Sequence, residues 1–177
     1  RPYMLNLDLG AGNQKTPGYN SVDKYDKEAD LQVDIIEIDN HFVENSVDNV
    51  VCYQVIEHLP YQHSQRIFDA VYKILKPGGK AIFETVDFDY VIKRVLEEGL
   101  TDKWTYNIYG EYYRPWDKDR YDDWDNCAAA IHRNPWNYRK IEECARRAGF
   151  SSVRQRIMNE KNPLYPYEEN LSVELIK

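Results

Sequence analysis

Residues 47–86 read VDNVVCYQVIEHLPYQHSQRIFDAVYKILKPGGKAIFETV, and this stretch decides the fold. Its opening, Val47–Ile56, is rich in valine and nearly continuous in apolar character. That is the pattern of a strand covered on both faces. Between Ser64 and Lys76 the residues Ile67, Phe68, Val71, Ile74 and Leu75 recur at helical spacing. Pro77-Gly78-Gly79 ends that helix, because proline cannot continue it and glycine accepts a left-handed turn. Lys80–Val86 then reads as the next strand. Strand, helix, strand is a βαβ unit, which implies a parallel sheet with right-handed crossovers.

Working outward, Leu5, Leu7 and Leu9 alternate with polar residues and make Tyr3–Leu9 a strand. Tyr19–Asp23 and Leu31–Ile36 are two further short candidates. Downstream, Asn134–Gly149 carries helix signals at both ends: Asn134 as cap, Pro135 at the first helical position, Gly149 just past the last. Ser151–Met158 and Leu171–Ile176 can pair as an antiparallel hairpin across a polar loop. Residues 88–133 interrupt the rhythm with an aromatic-rich insert that includes Trp104, Tyr106, Tyr109, Tyr112, Tyr113, Trp116 and Tyr121. An insert at the carboxyl ends of parallel strands lies where ligands bind in open α/β sheets. The whole of 1–177 is expected to be one domain.

Composition narrows the function classes. With 42% hydrophobic and 30% charged residues, the chain reads as soluble and globular. A net charge of -7 repels phosphate backbones, so nucleic acid is not an expected partner. Arg133, Arg139, Lys140, Arg146, Arg147, Arg154 and Arg156 are read as a solvated face. No apolar run reaches the roughly 18 residues of a membrane span, and no secretory leader is expected. Cys52, Cys127 and Cys144 are odd in number and match no metal-ligand spacing, which predicts reduced thiols and a cytoplasmic setting.

The stretch LDLGAGN, Leu7–Asn13, turns a strand sharply through glycines. Such a turn lets a ligand approach the backbone, whose amides then donate to its polar parts. The dinucleotide fingerprint needs a third glycine where Lys15 stands, which argues against NAD and against a nucleotide-dependent oxidoreductase. Asp23, ending the second strand, can accept from both hydroxyls of a ribose, and Asp34 from an adenine amino group.

LDLGAGN, SVD, NSVDNVVCYQVIEHL, ILKPGG and AGF, in that order from about Leu5 to Phe150, resemble the motifs of class I S-adenosylmethionine-dependent methyltransferases. The likeness is to small members whose first motif reads like LNLGCGN followed by a proline-glycine turn. It implies a Rossmann-like, seven-stranded, mostly parallel sheet with helices on both faces and an antiparallel last strand. It implies S-adenosylmethionine as cofactor and a small-molecule methyl acceptor. Asp8, Gly10, Ala11 and Gly12 would form the turn under the methionine part, and Asp23 would hold the ribose. Asp34 with Ile35 would read the adenine, and Tyr53 and Gln54 would border the amino-acid moiety. The chain departs from the family in two respects: only ten residues separate Gly12 from Asp23, too few for a normal crossover helix, and no helix is read before the first strand. The first crossover is therefore expected to be shortened, leaving a pocket that is open or closed by a partner such as a second copy.

Methyl transfer needs alignment above all, and oxygen acceptors often need a base as well. The candidates are His58 in EHL, His132 in AIHRN and Asp87 at the end of the fifth strand, where capping a helix competes as a role. His41 and His63 read as surface residues. Tyr109, Tyr112, Tyr113 and Trp116 could floor an acceptor pocket or fill the insert's core. The acidic run Asp117–Asp125 lacks calcium-loop spacing, and no metal site is expected. Two functions follow: a methyltransferase acting on a sugar or other hydroxylated metabolite, and a non-catalytic methyltransferase-like binding or assembly module.

Overall fold

The computed structural model describes residues 3–110 and 130–177. Tyr112, Tyr113, Trp116, the 117–125 acidic run and Cys127 lie outside them. β1 is Asn6–Leu9, β2 Asn20–Val22, β3 Val47–Tyr53, β4 Leu75–Val86, β5 Ser152–Gln155 and β6 Asn170–Ile176. Among the described residues they form one six-stranded sheet in the order β2-β1-β3-β4-β6-β5. The first four strands are parallel, and β6 runs antiparallel to both β4 and β5. The expected hairpin and the reversed last strand are both there.

Six strands stand where seven are expected, because Leu31–Ile36 supplies only one bridge, from Leu31 to Val22. The Asp34 side chain accepts from the Ile36 amide at 3.3 Å and opens a 3-10 segment, Ile35–Asn40, which takes the chain out of strand geometry. A short polar side chain offering the backbone a local bond competes with the ladder. Between β1 and β2 there is no helix, as the short spacing predicts.

α1, Ser64–Ile74, joins β3 to β4. It ends two residues earlier than its apolar pattern suggests. β4 begins at Leu75, which pairs with Val47, and the register shifts before Lys80 pairs with Asn49. The turn through Pro77-Gly78-Gly79 is thus an irregularity at the foot of a strand. A Cβ on Gly79 would stand 2.8 Å from the Lys76 carbonyl oxygen, so the tight path needs glycine.

The sheet's register sorts its residues by face. Leu7, Leu9, Val50, Cys52, Ala81, Phe83, Leu171, Val173 and Leu175 are all buried in the main core. Phe68 of α1 stacks on Phe83 at 4.7 Å between ring centroids. α4, Tyr138–Ala148, packs on the same core through Ile141 and Ala145. The opposite face is more polar: Asp8, Ser21, Glu84 and Ser172 are buried on it. The β5–β6 connection lies over part of it, where the Asn162 amide donates to Glu84 at 2.9 Å. At the end of β4, Val86 joins Val91 of α2, Phe88–Glu98, and Trp104 of α3, Asp102–Tyr109, in a small satellite core.

The cap of α4 is Asn137, three residues past the expected Asn134. Its side chain accepts from the Lys140 amide at 2.8 Å. Residues 134–136 stay outside the helix. Asn134 donates to Ser64 Oγ at 2.8 Å, and the buried Trp136 donates from Nε1 to the Ile56 carbonyl at 3.0 Å. Cys52 and Cys144 are free and buried.

Candidate active site

The parallel strands β1 and β3 both leave the sheet through a left-handed residue. After β1 comes Gly10 at φ +70, and a Cβ there would lie 2.5 Å from Val55 Cγ2. After β3 comes Gln54 at φ 57, a conformation that costs an L-residue energy. The buried Gln54 Nε2 has no hydrogen-bond partner. A cleft of about 870 Å³ opens at these strand ends. That is toward the upper end of the roughly 300–1,000 Å³ of small-molecule sites.

Gly10, Asp23, Asp34, Ile35 and Gln54 line one part of the cleft. Asp8, Ala11, Gly12 and Tyr53 are not among its lining residues. Asp8 is 2% exposed and accepts from the Thr16 amide at 2.8 Å, which fixes the turn from behind. Burial raises its carboxyl above the usual range, and also pushes the Tyr53 phenol up to about 12. The Gly12 amide donates to Asp23 Oδ2 at 3.0 Å, tying the first turn to the end of β2. Asp23 Oδ1 accepts from the Tyr25 and Asp26 amides at 2.7 and 2.9 Å. Asp34 pairs with Lys24 at 3.0 Å at the rim.

His58, His132, Lys103, Tyr106, Asn107 and Glu169 line another part. His58 Nδ1 is 3.1 Å from the Ile131 carbonyl oxygen and His132 Nδ1 is 2.7 Å from that of Asn107. A carbonyl only accepts, so each Nδ1 is assigned the proton and each Nε2 the lone pair. The rings meet edge to face, 4.8 Å apart. Burial, with His132 adding to it, pushes His58 down to about 4, so its imidazole is neutral near pH 7.

Glu57 is 3% exposed. Its Oε2 accepts from Thr85 Oγ1 at 2.9 Å, whereas Oε1 has no partner. Burial outweighs the hydrogen bonds from its own backbone amide and from Thr85 and pushes this carboxyl up to about 7. The Glu57 carbonyl accepts from the Arg133 and Asn134 amides at 2.8 and 3.2 Å, which staples the His132 segment beside His58. The sequence reading gave Glu57 no role. Its one signal was an acid set among Val55, Ile56 and Leu59 immediately after a strand. Asp87, by contrast, accepts from the Asp89 amide at 3.2 Å, caps α2 and is not among the cleft's lining residues. His41 is exposed, and His63 is half-buried and lines the cleft.

Residues 7–155 match the model of a methyltransferase domain family, and the chain belongs to that family, as its motifs imply. No curated protein matches it by sequence. Among solved structures it is similar to a SAM-dependent methyltransferase from Archaeoglobus fulgidus, with 13% identity and a TM-score of 0.64. That match covers 99% of this chain and 89% of the other. A SAM-dependent methyltransferase from Thermotoga maritima follows at 15% identity and 0.56, covering 100% and 84%. Phosphoethanolamine N-methyltransferase 2 of Haemonchus contortus is 16% identical at 0.55, covering 98% of this chain but 48% of that one. This chain thus spans about half the length of the Haemonchus protein. At such identities the likeness lies in the fold.

Proposed function

We propose that the chain transfers a methyl group from S-adenosylmethionine to a small hydroxylated acceptor, a sugar or another polar metabolite. The observation that carries this reading is the convergence of Gly10, Asp23 and the unpartnered Gln54 amide on one cleft. The residues fit the cofactor. The glycine turn admits a ligand against its backbone, and Asp8, Ala11 and Gly12 shape it beneath the methionine part. Asp23 accepts from the ribose hydroxyls, Asp34 and Ile35 meet the adenine, and Gln54 beside Tyr53 donates to the amino-acid carboxylate. The Haemonchus structure holds S-adenosylhomocysteine, a ligand of the same chemistry.

The cofactor supplies a sulfonium whose methyl is already activated. The protein aligns the acceptor, and alignment of this kind can supply about 7–11 kcal/mol of a barrier. The acceptor lies against His58 and His132, where Asn107, Tyr106, Lys103 and Glu169 offer hydrogen bonds to a polar molecule. Asp87 contributes by fixing α2.

Calorimetric titration with S-adenosylhomocysteine tests the reading. Micromolar binding is expected, weakened about tenfold or more, near 1.4 kcal/mol, in Asp23→Ala. A folded wild-type chain that takes up no heat with either S-adenosylhomocysteine or S-adenosylmethionine overturns it.

A further inference from the structure

We propose that Glu57, His58 and His132 hold a divalent first-row cation of the zinc, iron(II) or manganese class at the acceptor end of the cleft. One ligating atom from each of the three lies within 4.8 Å of the others. An ion with bonds of about 2.1 Å holds its ligand atoms about 3–4 Å apart. The set must therefore draw together by about 1–2 Å on taking up the ion.

A second observation points the same way. Glu57 Oε1 is buried without a hydrogen-bond partner, although its sister oxygen is held by Thr85. Leaving a buried carboxyl oxygen so is costly, and a bound cation would meet it. The histidines are prepared as ligands. Each has its Nδ1 bound to a backbone carbonyl, which fixes the ring and leaves Nε2 as the lone-pair nitrogen, the usual outer arrangement of metal-bound histidine. The Arg133 and Asn134 amides on the Glu57 carbonyl hold the third ligand's segment in place.

Two histidines and one carboxylate leave coordination positions open, which marks a reactive site and not a closed structural one. The role of the ion rests on the methyl-transfer reading above. An acceptor hydroxyl on the ion becomes more acidic and gives its proton to solvent base. The oxygen's electron pair then forms the C–O bond to the cofactor methyl as the C–S bond breaks. That bond's pair stays on sulfur, so the products are a methyl ether and S-adenosylhomocysteine. The acceptor class this favours is an alcohol with a second oxygen beside the first, since adjacent oxygens chelate.

Chelator-treated protein would be titrated with Zn²⁺ by calorimetry and with Co²⁺ by visible absorption, and S-adenosylhomocysteine binding measured on the same samples. One ion per chain is expected at micromolar affinity or tighter, with Co²⁺ ligand-field bands. His132→Ala and Glu57→Gln should each weaken it about tenfold or more, while S-adenosylhomocysteine affinity stays within about threefold. No uptake by the folded wild-type chain overturns the site, as does unchanged affinity in His132→Ala that retains the native circular dichroism. Ion binding without any S-adenosylhomocysteine binding supports the site and overturns the methyl-transfer reading with the ion's role in it. S-adenosylhomocysteine binding without ion binding does the reverse.

Discussion

Between β3 and β4 the chain passes through α1, and between β1 and β2 it passes through a loop, and these two crossovers are held by different physics. In the first, Ile67, Phe68, Val71 and Ile74 are fully buried. Phe68 stacks on Phe83 and lies 5.7 Å from the Trp136 ring. In the second, carboxylates accept from the loop's backbone amides, Asp8 from Thr16 and Asp23 from Gly12, and just beyond β2 Asp30 accepts from Ser21 at 2.7 Å. The dry crossover carries stability. The polar one buries none of residues 10–19, and its turn stays open to a ligand. Glycine and glutamine mark the same division at the strand ends. Gly10 gives up its side chain because Val55 occupies the space, whereas Gln54 accepts a strained backbone and keeps an amide in the cleft.

The largest effect expected from this division is at Phe68. Phe68→Ala should cost about 3–5 kcal/mol in urea unfolding, through lost burial and the cavity left behind. Affinity for S-adenosylhomocysteine should hold while the variant is folded. A loss under about 1 kcal/mol would break the comparison at its stronger end. Gln54→Gly should move two properties apart. Relief of the left-handed strain should raise stability by up to about 1 kcal/mol. Loss of the amide should weaken S-adenosylhomocysteine binding several-fold. A variant that binds as tightly as the wild type would remove Gln54 from the cofactor's partners.

The smallest effect is in acid. The Ser21 amide and hydroxyl hold the Asp30 carboxyl below its usual range. A carboxyl lowered by folding contributes stability that is full above its unfolded value, about 3.9, and lost as pH falls through its folded value. Asp30→Asn should therefore flatten the acid limb of the urea midpoint and leave the neutral plateau's slope unchanged. Asp39, lowered by Arg66 and Lys73 beside α1, moves in the same direction, and the slope left in the variant belongs in part to it. An unchanged acid limb would show that the loop after β2 does not depend on this bond.

What the sequence shows of the fold follows from periodicity. The alternation in Leu5–Leu9 and the apolar stripe of α1 are local records of which side meets the core, and they need no knowledge of partners. The methyltransferase motifs are legible for the same reason, since the glycine turn and the acid after β2 are properties of short segments. Element ends are less legible where a side chain has two uses. Asn134 and Asn137 can both cap a helix, and the choice fell to Asn137 because Trp136 is drawn into the core and Asn134 to Ser64. Asp34 could end a strand or open a 3-10 turn, and it does the latter.

The sequence by itself determined a parallel βαβ sheet, a reversed last strand, a first crossover too short for a helix, and membership of a methyltransferase family. Each is written in segments of a few to a few dozen residues. Only the tertiary structure decided that Glu57, His58 and His132 meet. His58 follows β3 and His132 precedes α4, and no local pattern sets the distance between two segments so far apart in the chain. That distance is set by the packing of Trp136 and by two backbone hydrogen bonds to the Glu57 carbonyl, which exist only once the core has closed.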